Sequence, residues 1–164
     1  MAHIRIENEY TRCPEFAEFI CTPGFGIWMF LAGQIIRGWS EAPGAKWIYH
    51  KYLMAEGWLC ASYSVENIAK NCKKFHKNGE PNKSWVSRHT KKLVKMGIIK
   101  KHKSGRKIIY QLGYLKNNKE VLFFDEYFAP KALKAKKHRM EVRADEYDAT
   151  MDEHYKEQLQ LLQL

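Results

Sequence analysis

The feature that most restricts the fold of this chain is a run of positive charge between Lys70 and Lys107. Fourteen Lys or Arg residues stand there against one acid, Glu80, so the local charge is +13, whereas the whole chain carries +10. The rest of the chain is therefore slightly acidic, and a folded protein with this distribution has one basic face. Such a face suits a polyphosphate partner, because each neutralised phosphate releases condensed counterions.

Length and composition predict a globular protein. A chain of 164 residues holds one good core, or one domain with an appendage, and 45% hydrophobic residues exclude disorder over most of the length. The apolar run over 22–36 is too short to span a bilayer, and the N-terminus lacks the layout of a secretory signal. We therefore expect a cytoplasmic protein without membrane contact, associated with the nucleoid, or in the host cytoplasm if it is viral.

Motifs for metal or covalent chemistry are missing from the sequence. The four cysteines form no close pair, so neither a zinc site nor a redox motif is predicted, and we expect no cofactor. The basic region holds too few acids for a two-metal nuclease site, and no Gly-rich phosphate loop or nucleophile elbow is present. We therefore expect that the protein is not an enzyme.

Helical and strand patterns alternate through the first half of the chain. The predicted elements are a short helix over 14–21, a buried helix over 25–37, a helix (or, given its aromatics, a strand) over 45–56, and a strand over 58–61. Ser64 then offers an N-cap to a helix that runs to about Cys72 and has one apolar face. A loop follows over 73–83, which either clamps a nucleic-acid backbone or is mobile.

The basic region ends in a helix and a hairpin. Either Ser84 or Asn82 caps the helix, and Gly97 ends it. Its apolar and polar residues separate onto two sides: Val86, Leu93 and Met96 on one, and Ser87, Arg88, Lys91, Lys92 and Lys95 on the other. A strand is expected to open at Ile98-Ile99, turn at Ser104-Gly105 and return over 106–112.

This order of helix, strand, helix, helix and basic hairpin is that of the winged helix-turn-helix. The run SWVSRHTKKLVKMGIIKKHKSGRKIIYQL (84–112) resembles the recognition helix and wing of phage and plasmid replication-initiator N-terminal domains, and of MarR-like regulators. SVENIAKNC (64–72) is similar to their preceding helix, and FGIWMFLAGQIIRGW (25–39) to the first helix of the initiators. The resemblance implies an α+β winged helix-turn-helix with a two-stranded wing. Because no Gly or Pro interrupts 131–164, we also expect a long C-terminal helix, which makes the fold class mainly α. The chain departs from the family in a turn of about ten residues between the two helices.

The chain divides into three predicted parts. These are an N-terminal extension over 1–23, a winged-helix DNA-binding domain over 24–128 with an insertion near 45–57, and a C-terminal helical arm over 129–164. Pro130 suits the first residue of the last helix. The arm carries an apolar stripe and changes from basic to acidic along its length. We expect it to form a homodimer or bind a protein partner; the alternative is that the stripe packs on its own domain.

The candidate DNA-binding residues lie on the predicted recognition helix and wing. They are Lys83, Ser84, Trp85, Ser87, Arg88, Lys91, Lys92, Lys95, Lys101, Lys103, Arg106 and Lys107. Arg88 is the first choice for base readout, because arginine bonds two guanine acceptors at once, with a phosphate contact as the alternative. Trp85 is expected in the core rather than against a base, and His89 as a packing residue rather than a ligand. The wing cations suit phosphates.

The leading hypothesis is therefore a protein that binds double-stranded DNA, in replication initiation or transcription regulation of a phage- or plasmid-type element. The alternative is a protein-interaction adaptor, such as a helicase loader or polymerase-contacting factor, that uses the winged helix and the C-terminal helix. Charge alone does not exclude RNA, yet the aromatic-rich sheet that stacks bases in RNA-binding domains is not evident.

Overall fold

A computed structural model describes residues 8–38 and 44–162 of the chain. After a 3₁₀ helix (Asn8–Arg12), the elements in order are α1 (Pro14–Ile20), α2 (Pro23–Gly33), α3 (Ala45–Ile48), a π-helical continuation (Tyr49–Met54), β1 (Trp58–Ser62), α4 (Val65–Asn71), α5 (Lys83–Met96), β2 (Lys100–Ser104), β3 (Lys107–Lys116), β4 (Lys119–Leu122) and α6 (Phe123–Leu162). Helices predominate beside a small antiparallel sheet, which makes an α+β fold with a long C-terminal helix.

Within the described ranges, four strands form one antiparallel sheet with β3 at its centre. β1 pairs along one edge of β3, while β2 and β4 pair with the two ends of the other edge. Successive strand residues point to opposite faces. Tyr110 and Leu112 accordingly face the main core, whereas Ile109 joins a second apolar cluster with Tyr52 and Cys60. The sheet therefore separates two apolar layers.

The main core lies where α2, α4 and α5 contact one another on one side of this sheet. Trp28, Leu31, Ile68 and Leu93 are among its fully buried side chains. α2 and α5 approach closely at Gly24, where a Cβ atom would lie 3.0 Å from Leu93 Cδ2. This packing holds one face of α5 against the body and leaves the other face to solvent.

Most of the local predictions are confirmed. The predicted helix over 14–21 occurs at 14–20, and the segment over 45–54 is helical rather than extended; the helix predicted over 25–37 begins at Pro23 and already ends at Gly33. Ser64 caps α4 by accepting a hydrogen bond from the Asn67 N–H at 3.1 Å. The strand predicted to open at Ile98 begins at Lys100 instead, because Ile98 and Ile99 are fully buried in the main core ahead of the sheet.

The strand β4 was not predicted. It pairs with β3 through a two-residue turn at Asn117-Asn118, whose φ angles of 53° and 62° are those of a type I′ hairpin. At Gly113 the strands approach so closely that a Cβ atom would lie 2.1 Å from the Val121 carbonyl oxygen. Only glycine fits this position.

The prediction that Pro130 begins the last helix is wrong. α6 begins at Phe123, and Pro130 lies inside it. An interior proline removes one backbone hydrogen bond, at a cost of about 3 kcal/mol. Burial of Phe123, Phe124 and Phe128 in the preceding turns offsets that cost, since each buried phenylalanine contributes about 2 kcal/mol.

The segment before α2 packs into the same core as the rest of the body. Phe16 and Phe19 of α1 contact the α6 rings of Phe124 and Phe128, and Tyr10 donates a hydrogen bond to Asp125 Oδ1 at 2.8 Å. Residues 10–20, which the sequence assigned to an extension, thus anchor the base of α6. The three-part division itself stays a prediction.

No single helix in the described ranges is both long and apolar enough to cross a bilayer. α1 and α2 reach that threshold only when they are counted together, and they meet at an angle of 85°.

Candidate nucleic-acid interface

α5 has a defined beginning and end. The Asn82 side-chain oxygen accepts hydrogen bonds from the Trp85 N–H at 3.1 Å and from Ser84 Oγ at 2.9 Å. Of the two candidate caps, Asn82 is therefore the one used, and Ser84 supports it. Gly97 ends the helix with a φ of 84°, a conformation that glycine adopts without strain.

The exposed face of α5 is mainly polar and cationic, with the exposed Val94 at its border. Ser84, Arg88, Lys91 and Lys95 are exposed at spacings of four, three and four residues, so they form one stripe along the helix. The opposite side carries the buried Val86, His89, Thr90 and Leu93. Ser87 and Lys92 flank the exposed stripe, and no acid occurs in the helix.

Among the described residues, no acid forms an ion pair with the cations of this face. The ion pairs of Arg37 with Glu120 and of Lys70 with Glu66 lie elsewhere. An exposed cationic surface without internal partners keeps its full attraction for an external anion.

Trp85 and His89 pack at the edge of this face, as the sequence indicated. Trp85 is half-buried, with its ring 5.1 Å from that of His89, and Lys74 Nζ lies 5.4 Å from the Trp85 ring. Burial lowers the pKa of His89, and repulsion by Lys92, Arg88 and Lys74 lowers it further. His89 is therefore a neutral packing residue at pH 7.

The long loop before α5 is hydrogen-bonded to itself. The Asn82 N–H donates to the Lys74 carbonyl at 2.9 Å, and the His76 N–H donates to the Glu80 backbone carbonyl at 2.8 Å. Phe75 and Pro81 form an isolated β-bridge between them. This small ribbon holds the exposed Lys73, Lys74 and Lys77 beside the start of α5, whose first residue, Lys83, is also exposed.

The hairpin divides its cations between two sides. Lys101 pairs with Tyr110 and Lys103 with Ile108, both of which face the main core, so these lysines lie on the α5 side of the sheet. The turn is Gly105-Arg106 rather than Ser104-Gly105, and this shift places Arg106 at the tip. Lys107 lies on the other face, with Nζ 5.3 Å from the Trp47 ring. Its predicted place beside α5 is therefore wrong.

A second basic and aromatic surface surrounds Trp47. Lys51 Nζ lies 5.2 Å from the Trp47 ring and 3.2 Å from Ser104 Oγ, which ties the π-helical segment to the hairpin. A cavity of about 600 Å³ opens between Trp47, Arg106 and the start of α4. The sequence analysis missed this surface, although Trp47 and Lys51 stand four residues apart, the spacing of neighbours on one helix face.

Comparisons with protein-family models, with curated proteins and with solved structures find no match.

Proposed function

We propose that the protein binds double-stranded DNA as a winged helix-turn-helix, with α5 in the major groove and the β2–β3 hairpin as the wing. The observation that carries this proposal is the exposed face of α5, which is cationic along its length and free of acids while its other face is buried. The major groove, about 12 Å wide, admits one α-helix. Sequence-independent affinity then comes from lysine and arginine contacts to phosphates.

The residues of the interface take different roles in this proposal. Arg88 is placed to read guanine, because it lies on the first turns of the exposed stripe and its guanidinium matches two acceptors. Ser84, Lys91 and Lys95 extend along the groove toward phosphates, and Lys101 and Lys103 flank them from the hairpin. Lys107 lies outside this surface.

The resemblance of 84–112 to phage and plasmid initiators and to MarR-like regulators supports a role in replication initiation or transcription regulation of such an element. Both roles use the same contacts to DNA, since a fold shared by many proteins does not specify the process it serves. The arrangement of bound sites distinguishes them: repeated direct sites favour an initiator, and a single operator beside a promoter favours a regulator.

The proposal is tested by the salt dependence of duplex binding. If about six cations contact phosphates, the slope of log affinity against log salt is about −5. The triple variant Arg88→Glu, Lys91→Glu, Lys95→Glu should lose at least about a hundredfold in affinity and flatten the slope by about 3. Fluorescence anisotropy with a labelled duplex between 50 and 200 mM salt, concentrations over which phosphate-dominated binding changes strongly, measures both quantities.

The matched control reverses three exposed lysines away from α5: Lys116→Glu, Lys119→Glu and Lys156→Glu. It makes the same change in net charge, so it accounts for general electrostatic attraction. Equal losses in the two triple variants would reject α5 as the binding face, and salt-independent binding would reject the proposal as a whole.

One observation favours the adaptor as a second candidate function. Several large apolar side chains of α6 beyond Arg139 are exposed, among them Met140, Tyr147 and Tyr155. Truncation after Arg139 removes this stretch and leaves the buried base of α6 intact. In both cases the truncated chain should keep its affinity for duplex DNA. Only if the protein is an adaptor should the truncation also abolish binding of a protein partner.

A further inference from the structure

The last helix leaves the body after Arg139. Phe124, Phe128 and Ala132 bury one side of α6 in the body, and Arg139 Nη1 donates a hydrogen bond to the Arg12 carbonyl at 3.0 Å. From Met140 to Leu162 every residue is exposed. This stretch is the outer part of the predicted C-terminal arm, and the name arm is used only for it from here on. It is a helix of 23 residues and about 35 Å in length.

The arm carries an apolar stripe that faces away from the body. Met140, Ala144, Tyr147, Met151, Tyr155 and Leu162 share one face, and the exposed fractions of Tyr147, Met151 and Tyr155 are 65%, 46% and 63%. At about 100° per residue, the centre of this face at Met151 lies about 100° to 120° around the helix from the side that Ala132 and Arg139 turn to the body. The body of the same chain therefore does not cover the stripe.

In proteins most of the stability of a helix comes from packing of its apolar face rather than from helix propensity. Exposed apolar patches of this extent mark interaction sites. The stripe therefore requires a partner, and its geometry indicates which one.

We propose that the arm pairs in antiparallel orientation with the arm of a second copy of this chain, with the two-fold axis beside Met151. The six stripe residues together with the polar Gln158, which lies on the same face, occupy positions 140, 144, 147, 151, 155, 158 and 162, with spacings of four, three, four, four, three and four residues. This series is the same in both directions, so an antiparallel copy meets it in register: Met140 against Leu162, Tyr147 against Tyr155, and Met151 against itself. A two-fold interface requires such self-complementarity.

The charges on one edge of the stripe favour this arrangement, whereas those on the other edge oppose it. Arg143 and Glu157 lie on the same edge, eight residues before and six residues after Met151, so the axis at Met151 brings Arg143 of each copy near the partner's Glu157. The other edge carries Asp148 and Asp152, which face their counterparts as like charges. Salt screens exposed charges of both signs. Since the arm contains seven acids and two bases over 140–162, repulsion dominates, and added salt should strengthen the pairing.

The first experiment compares two glutamate substitutions on the arm. Met151→Glu puts two carboxylates at the centre of the interface, and Val142→Glu puts the same charge on the opposite side of the helix at a similar exposure, 41% against 46%. Sedimentation of the full chain at tens of micromolar should show a dimer for the wild type and for Val142→Glu, and a monomer for Met151→Glu. Circular dichroism checks that both variants stay helical.

The second experiment fixes the orientation by disulfide trapping in a Cys21→Ser background, because Cys21 is the exposed native thiol among the described residues. Tyr147→Cys and Tyr155→Cys chains are oxidised separately and as a mixture. Antiparallel pairing predicts a cross-linked dimer in the mixture and little in either sample alone. A monomeric wild type, equal dissociation of the two glutamate variants, weaker association at high salt, or cross-linking of each cysteine variant with itself would each overturn the proposal.

Discussion

α5 and the arm of α6 are both amphipathic helices, yet the protein leaves opposite faces of them uncovered. α5 buries its apolar side, with Val86 fully buried and Leu93 1% exposed, and presents cations to solvent. The arm presents its apolar stripe to solvent, and its polar side is mainly acidic. The face that the body leaves free determines which kind of partner suits a helix, and we therefore propose a polyanion for α5 and an apolar surface for the arm.

The largest expected effect of a single substitution comes from the covered side of α5. Leu93→Ala removes a fully buried side chain that contacts Gly24, and it should lower the free energy of unfolding by about 3 kcal/mol. Tyr155→Ala on the exposed stripe should change it by less than about 0.5 kcal/mol at concentrations where the chain is monomeric. Urea denaturation measures both. Similar losses would mean that the arm packs on its own body.

The exposed side of α5 should affect DNA binding and leave stability unchanged. Arg88→Ala should weaken binding to a preferred duplex by about 2 kcal/mol and relax the choice of base at one position. Lys95→Ala should weaken binding to all duplexes alike and reduce the salt slope by about 1. Selection from a random duplex library, followed by titration, separates the two effects. A uniform loss for Arg88→Ala would assign it to a phosphate instead.

The N-cap of α5 supports both faces of the helix, because it determines where the helix begins. Asn82→Ala should cost about 1 kcal/mol of folding stability, since the Trp85 N–H loses its acceptor. Ser84→Ala removes only a hydroxyl that donates to that cap and should cost less than about 0.5 kcal/mol. Thermal unfolding followed by circular dichroism compares them. The reverse order would mean that Ser84 is the cap.

The smallest expected effect is a pH dependence at the border between the two faces. The pKa of His89 lies below its ordinary value of 6.5, because burial and nearby cations disfavour the imidazolium. The unfolded chain therefore takes up a proton more readily, and the stability contributed by neutral His89 is present above pH 6.5 and lost as the pH falls through the folded pKa. Urea unfolding at pH 7.5 and 5 should show a smaller decrease for His89→Gln than for the wild type. An equal decrease would show that the pKa of His89 does not differ between the folded and the unfolded chain.

Local signals were sufficient to predict α5 and its surface. The positions of Asn82 and Gly97, and the spacing of apolar residues between them, lie within one helix, so no distant contact decides them. The exposure of Arg88, Lys91 and Lys95 follows from that periodicity. The sequence also predicted the apolar stripe of the arm, because its spacing is likewise local.

Contacts between distant segments decided what the sequence could not predict. The hairpin turn is displaced by one residue, and in a strand such a shift changes which face each side chain occupies. Lys107 also lies beside Trp47, sixty residues earlier in the chain, a contact that no local pattern indicates. The early start of α6 depends on rings of α1, through contacts of Phe16 and Phe19 with Phe124. The Asn117-Asn118 pair was a local signal for β4 and could have revealed it.

The absence of a side chain at Gly113 also determines the direction of the last helix. The backbone of β4 packs against that position and continues without a break into α6, so the sheet fixes one end of a helix about 60 Å long. A rotation of β4 by roughly 5° would displace the far end of this helix by about 5 Å. A methyl group added deep in the sheet would thus redirect the far end of the molecule without touching it.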